Sequence, residues 1–357
     1  MAKQKLSTTT VGSFPKPNYL PIQDWFDASR IKGTMNSPET TSGFTEYNMS
    51  KSATDEQQFI KAATEIIKLQ IEAGIDIPTD GEVRRENYVH YHCRFLKGFD
   101  FSRLENRILR EGAYETDLPA IRNKIRYSGH PYAGNDFRVA QAVSVKPIKF
   151  TLPGPLTIMD TTADCFYQDR QKLARDLAET INAEVRSLVE AGCKFIQIDE
   201  PLYARQVSDA KNFGMEMLER CFHGTPKEVA RILHICCGYP DRLDDQEYKK
   251  ADPKSYQQLA PELDLIEIDQ ISIEDAHCRN DLKLLEVFKN KVIIFGSIAI
   301  ARSRLETIDE VSERIKKALN YIDRERLVIA PDCGLGFLTK QLAYEKLKVM
   351  CRAAELC

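Results

Sequence analysis

No apolar stretch in this chain approaches the roughly 18–20 residues that a bilayer-spanning helix needs. Nor is there an excess of one charge: 50 Lys and Arg against 53 Asp and Glu leave a formal net charge of −3. That balance removes the electrostatic reason to expect nucleic acid or an anionic membrane as partner. Internal repeats and low-complexity segments are absent, which argues against solenoids and flexible linkers. Tryptophan occurs once, at Trp25. The 10 cysteines lack the regular spacing of a disulfide framework in a short secreted chain. Cys165, Cys193, Cys221 and Cys351 fall within helical or strand patterns and read as small apolar residues, leaving Cys236, Cys237 and Cys333 where chemistry is plausible. The N-terminal Met1-Ala2-Lys3-Gln4-Lys5 runs into a strand-like segment without a signal-peptide apolar core, so a cytoplasmic location is expected.

What is present is an alternation. Apolar, β-branched runs at Thr8–Val11, Ile75–Pro78, Ile148–Leu152, Phe195–Ile198, Arg231–Ile235, Ile268–Ile273, Val292–Phe295 and Val328–Ala330 read as strands. Between them lie amphipathic helical patterns. Leu173, Leu177, Ile181, Val185 and Leu188 place one apolar stripe against a sheet, and Glu310–Ile322 is another such segment. Buried strands alternating with helices imply a parallel sheet, and eight such units suggest a single α/β domain, a TIM (β/α)8 barrel spanning 1–357. Two stretches depart from the alternation. A polar, Tyr- and Arg-rich excursion over about 101–145 follows the second strand, and a charged insertion over about 238–259 after the fifth reads as a surface loop.

Nearly every expected strand ends in residues able to do chemistry. The ends carry Gly12-Ser13, Asp80-Gly81-Glu82, Pro153-Gly154-Pro155, Asp199-Glu200-Pro201, His234-Ile235-Cys236, Glu274-Asp275, Gly296-Ser297 and Asp332-Cys333-Gly334. In a barrel these are the C-terminal strand ends, from which active-site loops start. His234 and Cys236 are two apart, so their side chains share one face of a strand, whereas Cys237 points the other way and is expected to pack. Imidazole and thiolate are the donors of a zinc site, and a catalytic site keeps one position exchangeable. The bland reading of Asp199-Glu200-Pro201 is an acidic helix cap, which suits Glu200.

Taken in order, Thr8-Thr9-Thr10-Val11-Gly12-Ser13-Phe14-Pro15, Asp80-Gly81-Glu82, Ile196-Gln197-Ile198-Asp199-Glu200-Pro201, His234-Ile235-Cys236 and Pro331-Asp332-Cys333-Gly334-Leu335 resemble the catalytic barrel of cobalamin-independent methionine synthases. The resemblance covers essentially the whole chain and implies the short, single-barrel branch of that family. It implies a Zn2+ ion held by His234, Cys236, Glu274 and Cys333, with Asp269 as the acid if the strand register is set five residues earlier. His277, nearby, reads as a solvated or supporting histidine rather than a further ligand. The resemblance also implies a homocysteine pocket made by Val11, Gly12 and Ser13 for the carboxylate and by Glu82 and Asp199 for the amino group.

On the donor side the chain departs from the family's folate users. Thr161 stands where their pterin-stacking Trp is found, and Gly296-Ser297-Ile298-Ala299-Ile300-Ala301 contains no His to protonate a leaving folate nitrogen. The expected activity is therefore zinc-dependent methyl transfer to homocysteine, giving methionine, from a donor other than folate, such as a methylated corrinoid protein. The related alternative is an epoxyalkane:coenzyme M transferase (2-hydroxypropyl-CoM lyase), which adds coenzyme M to an epoxide. A structural zinc barrel is a third reading, disfavoured by the acid pairs at neighbouring strand ends. Trp25, Tyr88, Tyr91 and the 101–145 excursion are candidates for the donor side.

Overall fold

The computed structural model describes residues 5–22, 24, 26, 38–109, 114–239, 243–245, 248, 250–252 and 254–357. Trp25 lies outside them. Among the described residues ten strands are formed: β1 (Ser7–Thr8), β2 (Leu96–Leu109), β3 (Tyr114–Tyr127), β4 (Lys149–Pro153), β5 (Ala163–Asp164), β6 (Phe195–Asp199), β7 (Ala230–Ile235), β8 (Gln270–Ile273), β9 (Val292–Gly296) and β10 (Leu327–Ala330). Seven of them make one curled, fully parallel sheet in the order β1-β10-β9-β8-β7-β6-β4.

The segment expected as the second strand of this sheet touches both edges without forming a ladder. Thr9 bridges Ile77, and Thr79 bridges Lys149, each once. Pro78 explains the poverty of pairing: it has no N–H to give, and only its carbonyl takes part, accepting from Lys149 N at 2.9 Å. Side chains add to the seam, with Thr9 Oγ1 donating to Ile77 O at 2.7 Å.

Helices cover the outside, and their ends follow local rules. The helix Ala53–Ala73 begins with a capping box between Ser52 and Asp55 and ends at Gly74, whose φ of 106° only glycine adopts without strain. Arg170–Glu190 starts from Asp169 and buries Leu173, Leu177, Ile181, Val185 and Leu188, the stripe expected from the sequence. Thr307 and Glu310 cap Ile308–Ala318 reciprocally. One large apolar cluster joins these helices to the sheet. A separate small one, Ile232, Ile294 and Ala330, shares the sheet's inner face with His234.

Three further expectations need correction. The 101–145 excursion, for which no strands were expected, contains two: β2 and β3 pair antiparallel from Leu96 onward, and β5 extends them by parallel pairing with β3. A 14-residue strand was hidden because Lys97, Asp100, Arg103, Glu105 and Arg107 make it look solvated, and register shifts blur its alternation. The 238–259 insertion is not wholly a surface loop. Ser255–Leu265 is helical, and Lys250 from this stretch enters the strand-end cluster described below. Cys165 is exposed rather than packed; Cys193, Cys221 and Cys351 are buried as expected. Among the described residues no helix is long and apolar enough to cross a membrane.

Candidate metal centre and thiol pocket

The register of the parallel sheet decides which strand-end residues meet. His234 on β7 pairs with Ser272 on β8 and with Asp199 on β6. Running two residues further along both β7 and β8 brings Cys236 and Glu274 to one level at the C-terminal edge. Asp269 lies at the other end of the strand, where Arg231 holds it through Nε at 3.0 Å and Nη2 at 2.9 Å. The five-residue-earlier register is thereby removed.

The ligand atoms of His234, Cys236 and Cys333 all lie within 4.8 Å of one another. His234 is buried, and its Nδ1 is 2.9 Å from the Ser272 hydroxyl. Its Nε2, also buried, has no nitrogen or oxygen partner. A buried imidazole nitrogen without such a partner, facing two thiols, is the donor set of a soft divalent metal. The electrostatics agree. The hydrogen bond from Cys333 and then His234 hold the Cys236 thiol well below its ordinary value, despite burial. The same contact, with burial, pushes Cys333 up, so one thiolate forms readily in the pair. Burial alone would lower His234, but Cys236 raises it.

Glu274 lies outside this trio. Its fully buried carboxylate takes three donors on Oε2, from Cys237 N at 3.0 Å, the Tyr239 hydroxyl at 2.9 Å and Lys250 Nζ at 3.1 Å. Oε1 is 3.0 Å from the same ammonium and accepts no aligned hydrogen bond. Cys237 itself packs in the apolar cluster, as its position on the strand demands.

His277 is not available as a ligand. Its Nδ1 lies 2.8 Å from Asp332 Oδ2, and its Nε2 accepts the Ala301 N–H at 3.1 Å, so the ring proton sits on Nδ1. Asp332 also accepts the backbone N–H groups of Asp275, Ala276 and His277. This carboxylate thus ties the loop after β8 to the segment that carries Cys333. Gly296 is needed here, because a Cβ would come within 2.3 Å of Asp332 Oδ1.

On the other side of the trio stand the residues expected to bind an amino acid. Asp199 Oδ1 accepts from Gln197 Nε2 at 2.7 Å, and the same amide donates to Val11 O at 2.9 Å. Burial, with the Glu82 charge adding to it, pushes the Asp199 carboxyl up to about 7. Glu82 accepts from Thr151 Oγ1 at 2.8 Å and lies 3.4 Å from Arg85 Nη1. It adopts φ 56°, an uncommon conformation for a non-glycine residue and one that functional sites concentrate. Gly12 permits the approach: a Cβ there would lie 2.6 Å from Glu82 Oε1. Ser13 is buried and receives Leu335 N–H on its carbonyl at 2.7 Å; a Cβ on Gly334 would sit 2.1 Å from the Ser13 hydroxyl. Asp199 pairs with His234 across β6 and β7, Ser13 meets the Gly334–Leu335 segment that follows Cys333, and Val11, Gly12 and Glu82 connect to these through Gln197 and the Gly12–Glu82 approach.

Glu200 turns away from the site. It accepts from Leu156 N, Thr157 N and Thr157 Oγ1, capping the helix Pro155–Asp160 rather than one that follows its own strand. Burial raises the phenol of Tyr88 well above the ordinary value, and the charges of Asp199, Cys236, Cys333 and Glu82 add to this. Tyr91 instead donates to Asp136. Ser272, Gln197, Tyr239 and Lys250 escaped sequence reasoning. Ser272 had a findable signal, lying opposite His234 on the next strand; Lys250 had none, since a charged loop lysine looks solvated.

The chain matches the family model for the catalytic domain of cobalamin-independent synthases over residues 6–356. A methionine synthase of Saccharolobus solfataricus is 30% identical over 350 residues, covering 97% of this chain and 92% of that protein. One from Sulfolobus acidocaldarius is 29% identical over 344 residues, covering 96% and 89%. Among solved structures, a B12-independent methionine synthase from Shewanella sp. W3-18-1 in complex with selenomethionine superposes with a TM-score of 0.84 at 29% identity, covering 99% of this chain and 98% of that one. A methyltransferase from Methanosarcina mazei shares the fold, with a TM-score of 0.56 at 14% identity.

Proposed function

Because this chain belongs to the cobalamin-independent methionine synthase family, we propose that it transfers a methyl group to the sulfur of homocysteine, giving methionine, at a zinc centre of His234, Cys236 and Cys333 with Glu274 as the exchangeable fourth ligand. The observation that carries this reading is the clustered trio of buried His234, buried Cys236 and half-buried Cys333, with two carboxylates, Asp199 and Glu82, near it. The fitting architecture is a closed eight-stranded barrel in one domain, supported by the two single bridges that join the sheet edges. A cytoplasmic location goes with it.

Bound there, zinc would supply the Lewis acidity that turns an arriving thiol into a nucleophilic thiolate near neutral pH. The protein's own residues do the rest. Ser272 fixes the His234 ring so that Nε2 faces the two thiols. Glu82 and Asp199 receive the substrate ammonium by charge-assisted hydrogen bonds, and that cation offsets the burial that now pushes Asp199 up. The backbone and hydroxyl of Ser13 receive the substrate carboxylate. Gln197 holds the Asp199 carboxylate to the Val11 carbonyl, which orients the pocket toward the trio. The selenomethionine carried by the Shewanella structure supports an amino-acid product in this pocket.

Coenzyme M, the alternative thiol, ends in a sulfonate and has no amino group, so the two carboxylates repel it. The donor we take to be other than folate, a methylated corrinoid protein being one candidate. Thr161 closes the helix Pro155–Asp160 with its hydroxyl on Thr157 O and offers no aromatic face, and His277 has both nitrogens engaged. The test is thiol binding followed by proton release in the zinc-loaded protein. Homocysteine should release a proton and coenzyme M should not, and Cys236→Ser should abolish the signal. Proton release with coenzyme M alone would overturn the assignment. Product formation from homocysteine with methylcobalamin, and not with methyltetrahydrofolate, would support the donor reading.

A further inference from the structure

A carboxylate that ligates a metal reversibly must go somewhere when it leaves. In a dry site an unpaired carboxylate is costly, so the place it retires to needs its own cation and donors. Glu274 has such a place. Its side chain is 0% exposed, and Lys250 Nζ spans its two oxygens at 3.0 and 3.1 Å. That ammonium is fixed from two further directions: it donates to Gly238 O at 2.7 Å and lies 4.0 Å from the centroid of the Tyr239 ring. The Tyr239 hydroxyl and the Cys237 N–H complete the cradle on Oε2. Tyr239 is in turn braced edge-on against His277 at 5.1 Å. Only Oε1 lacks an aligned donor.

We propose that Lys250 and Tyr239 form a carboxylate dock that competes with the metal for Glu274 and so sets how readily a thiol replaces it. Lys250 is a positioning residue here, acting through Glu274. The dock rests on reading His234, Cys236 and Cys333 as a metal centre. Removing Lys250 leaves the metal as the strongest cation available to Glu274, so the fourth ligand stays on and the incoming thiol must work against it.

The test measures zinc affinity by competition with a chromophoric chelator, and follows the absorption of the Co2+-substituted protein as homocysteine is added. Lys250→Met is expected to bind zinc roughly tenfold tighter or more, and to need a correspondingly higher homocysteine concentration, as expected for loss of one charge-assisted contact. Lys250 has a partly exposed side chain, and circular dichroism checks that the variant folds. Tyr239→Phe keeps the ring under Lys250 and should move both readings the same way by less. In a Glu274→Gln background Lys250→Met should change neither by more than about twofold, because the dock has lost its client. The same tightening in that background would mean a general charge effect and overturn the dock; so would unchanged or weaker zinc binding in Lys250→Met. Wild-type protein that takes up no zinc would sink the metal centre itself, an outcome separate from either.

Discussion

Ser272→Ala isolates the one hydrogen bond that orients the histidine of the trio. Ser272 is 2% exposed and sits opposite His234 in the β7–β8 register, with its hydroxyl 2.9 Å from Nδ1. If Nε2 is the metal-facing nitrogen, Nδ1 carries the proton and donates it to the serine oxygen. Alanine removes that acceptor and strands a buried N–H, costing about 1–3 kcal/mol unless the ring turns. A turned ring no longer presents Nε2 to Cys236 and Cys333. Losing an outer partner of a metal-bound histidine weakens the metal roughly 10- to 100-fold, or about 1.4–2.7 kcal/mol. The assay is zinc competition against a chelator of known affinity, with a urea melt of the metal-free protein as control. The metal-free variant should lose only about 1 kcal/mol of stability, while zinc affinity falls by at least tenfold. Unchanged zinc affinity at normal folding would refute the assignment of His234 Nε2 as a ligand atom.

Glu82→Gln keeps the Thr151 contact but removes one of the two carboxylates proposed to receive the substrate ammonium. Homocysteine binding should weaken roughly 10- to 100-fold by calorimetry with zinc affinity unchanged; equal weakening of both would place Glu82 at the metal instead. Gly12→Ala pushes a methyl to 2.6 Å from Glu82 Oε1, so KM for homocysteine should rise more than kcat falls. Glu184 gives a pH prediction away from the site. Its Oε2 accepts from Ala133 N at 3.0 Å, while Oε1 is buried and unpaired. Burial pushes this carboxyl from 4.5 up to about 7. The folded state therefore holds its proton to higher pH than the unfolded chain, and stability falls as pH rises from about 4.5 through 7. Glu184→Gln should match the wild type in urea stability near pH 4.5 and exceed it by roughly 2–3 kcal/mol at pH 8; a pH-independent difference would discard this account.

The grouping of His234, Cys236 and Cys333 was legible in the sequence, because all three lie at strand ends and strands announce themselves by period. His234 and Cys236 share a face through the two-residue repeat alone, and Cys237 is turned into the apolar cluster for the same reason. The hairpin β2–β3 was not legible: its charges mask an alternation that register shifts also interrupt. The role of Glu200 was half legible, since an acidic cap was expected but the capped helix precedes it in the chain.

By itself the sequence determined most strands of the parallel sheet, the stripe of Arg170–Glu190, and which residues carry donor atoms, since each follows from local periodicity and side-chain chemistry. Tertiary structure alone decided who meets whom. The register between β7 and β8 put Glu274, and not Asp269, at the level of Cys236. Packing of the loop after β7 then gave Glu274 to Lys250 and Tyr239. Close approaches at Gly12, Gly296 and Gly334 drew the remaining strand ends together. Contacts between residues far apart in the chain depend on how strands align and loops return, and no local pattern encodes that alignment.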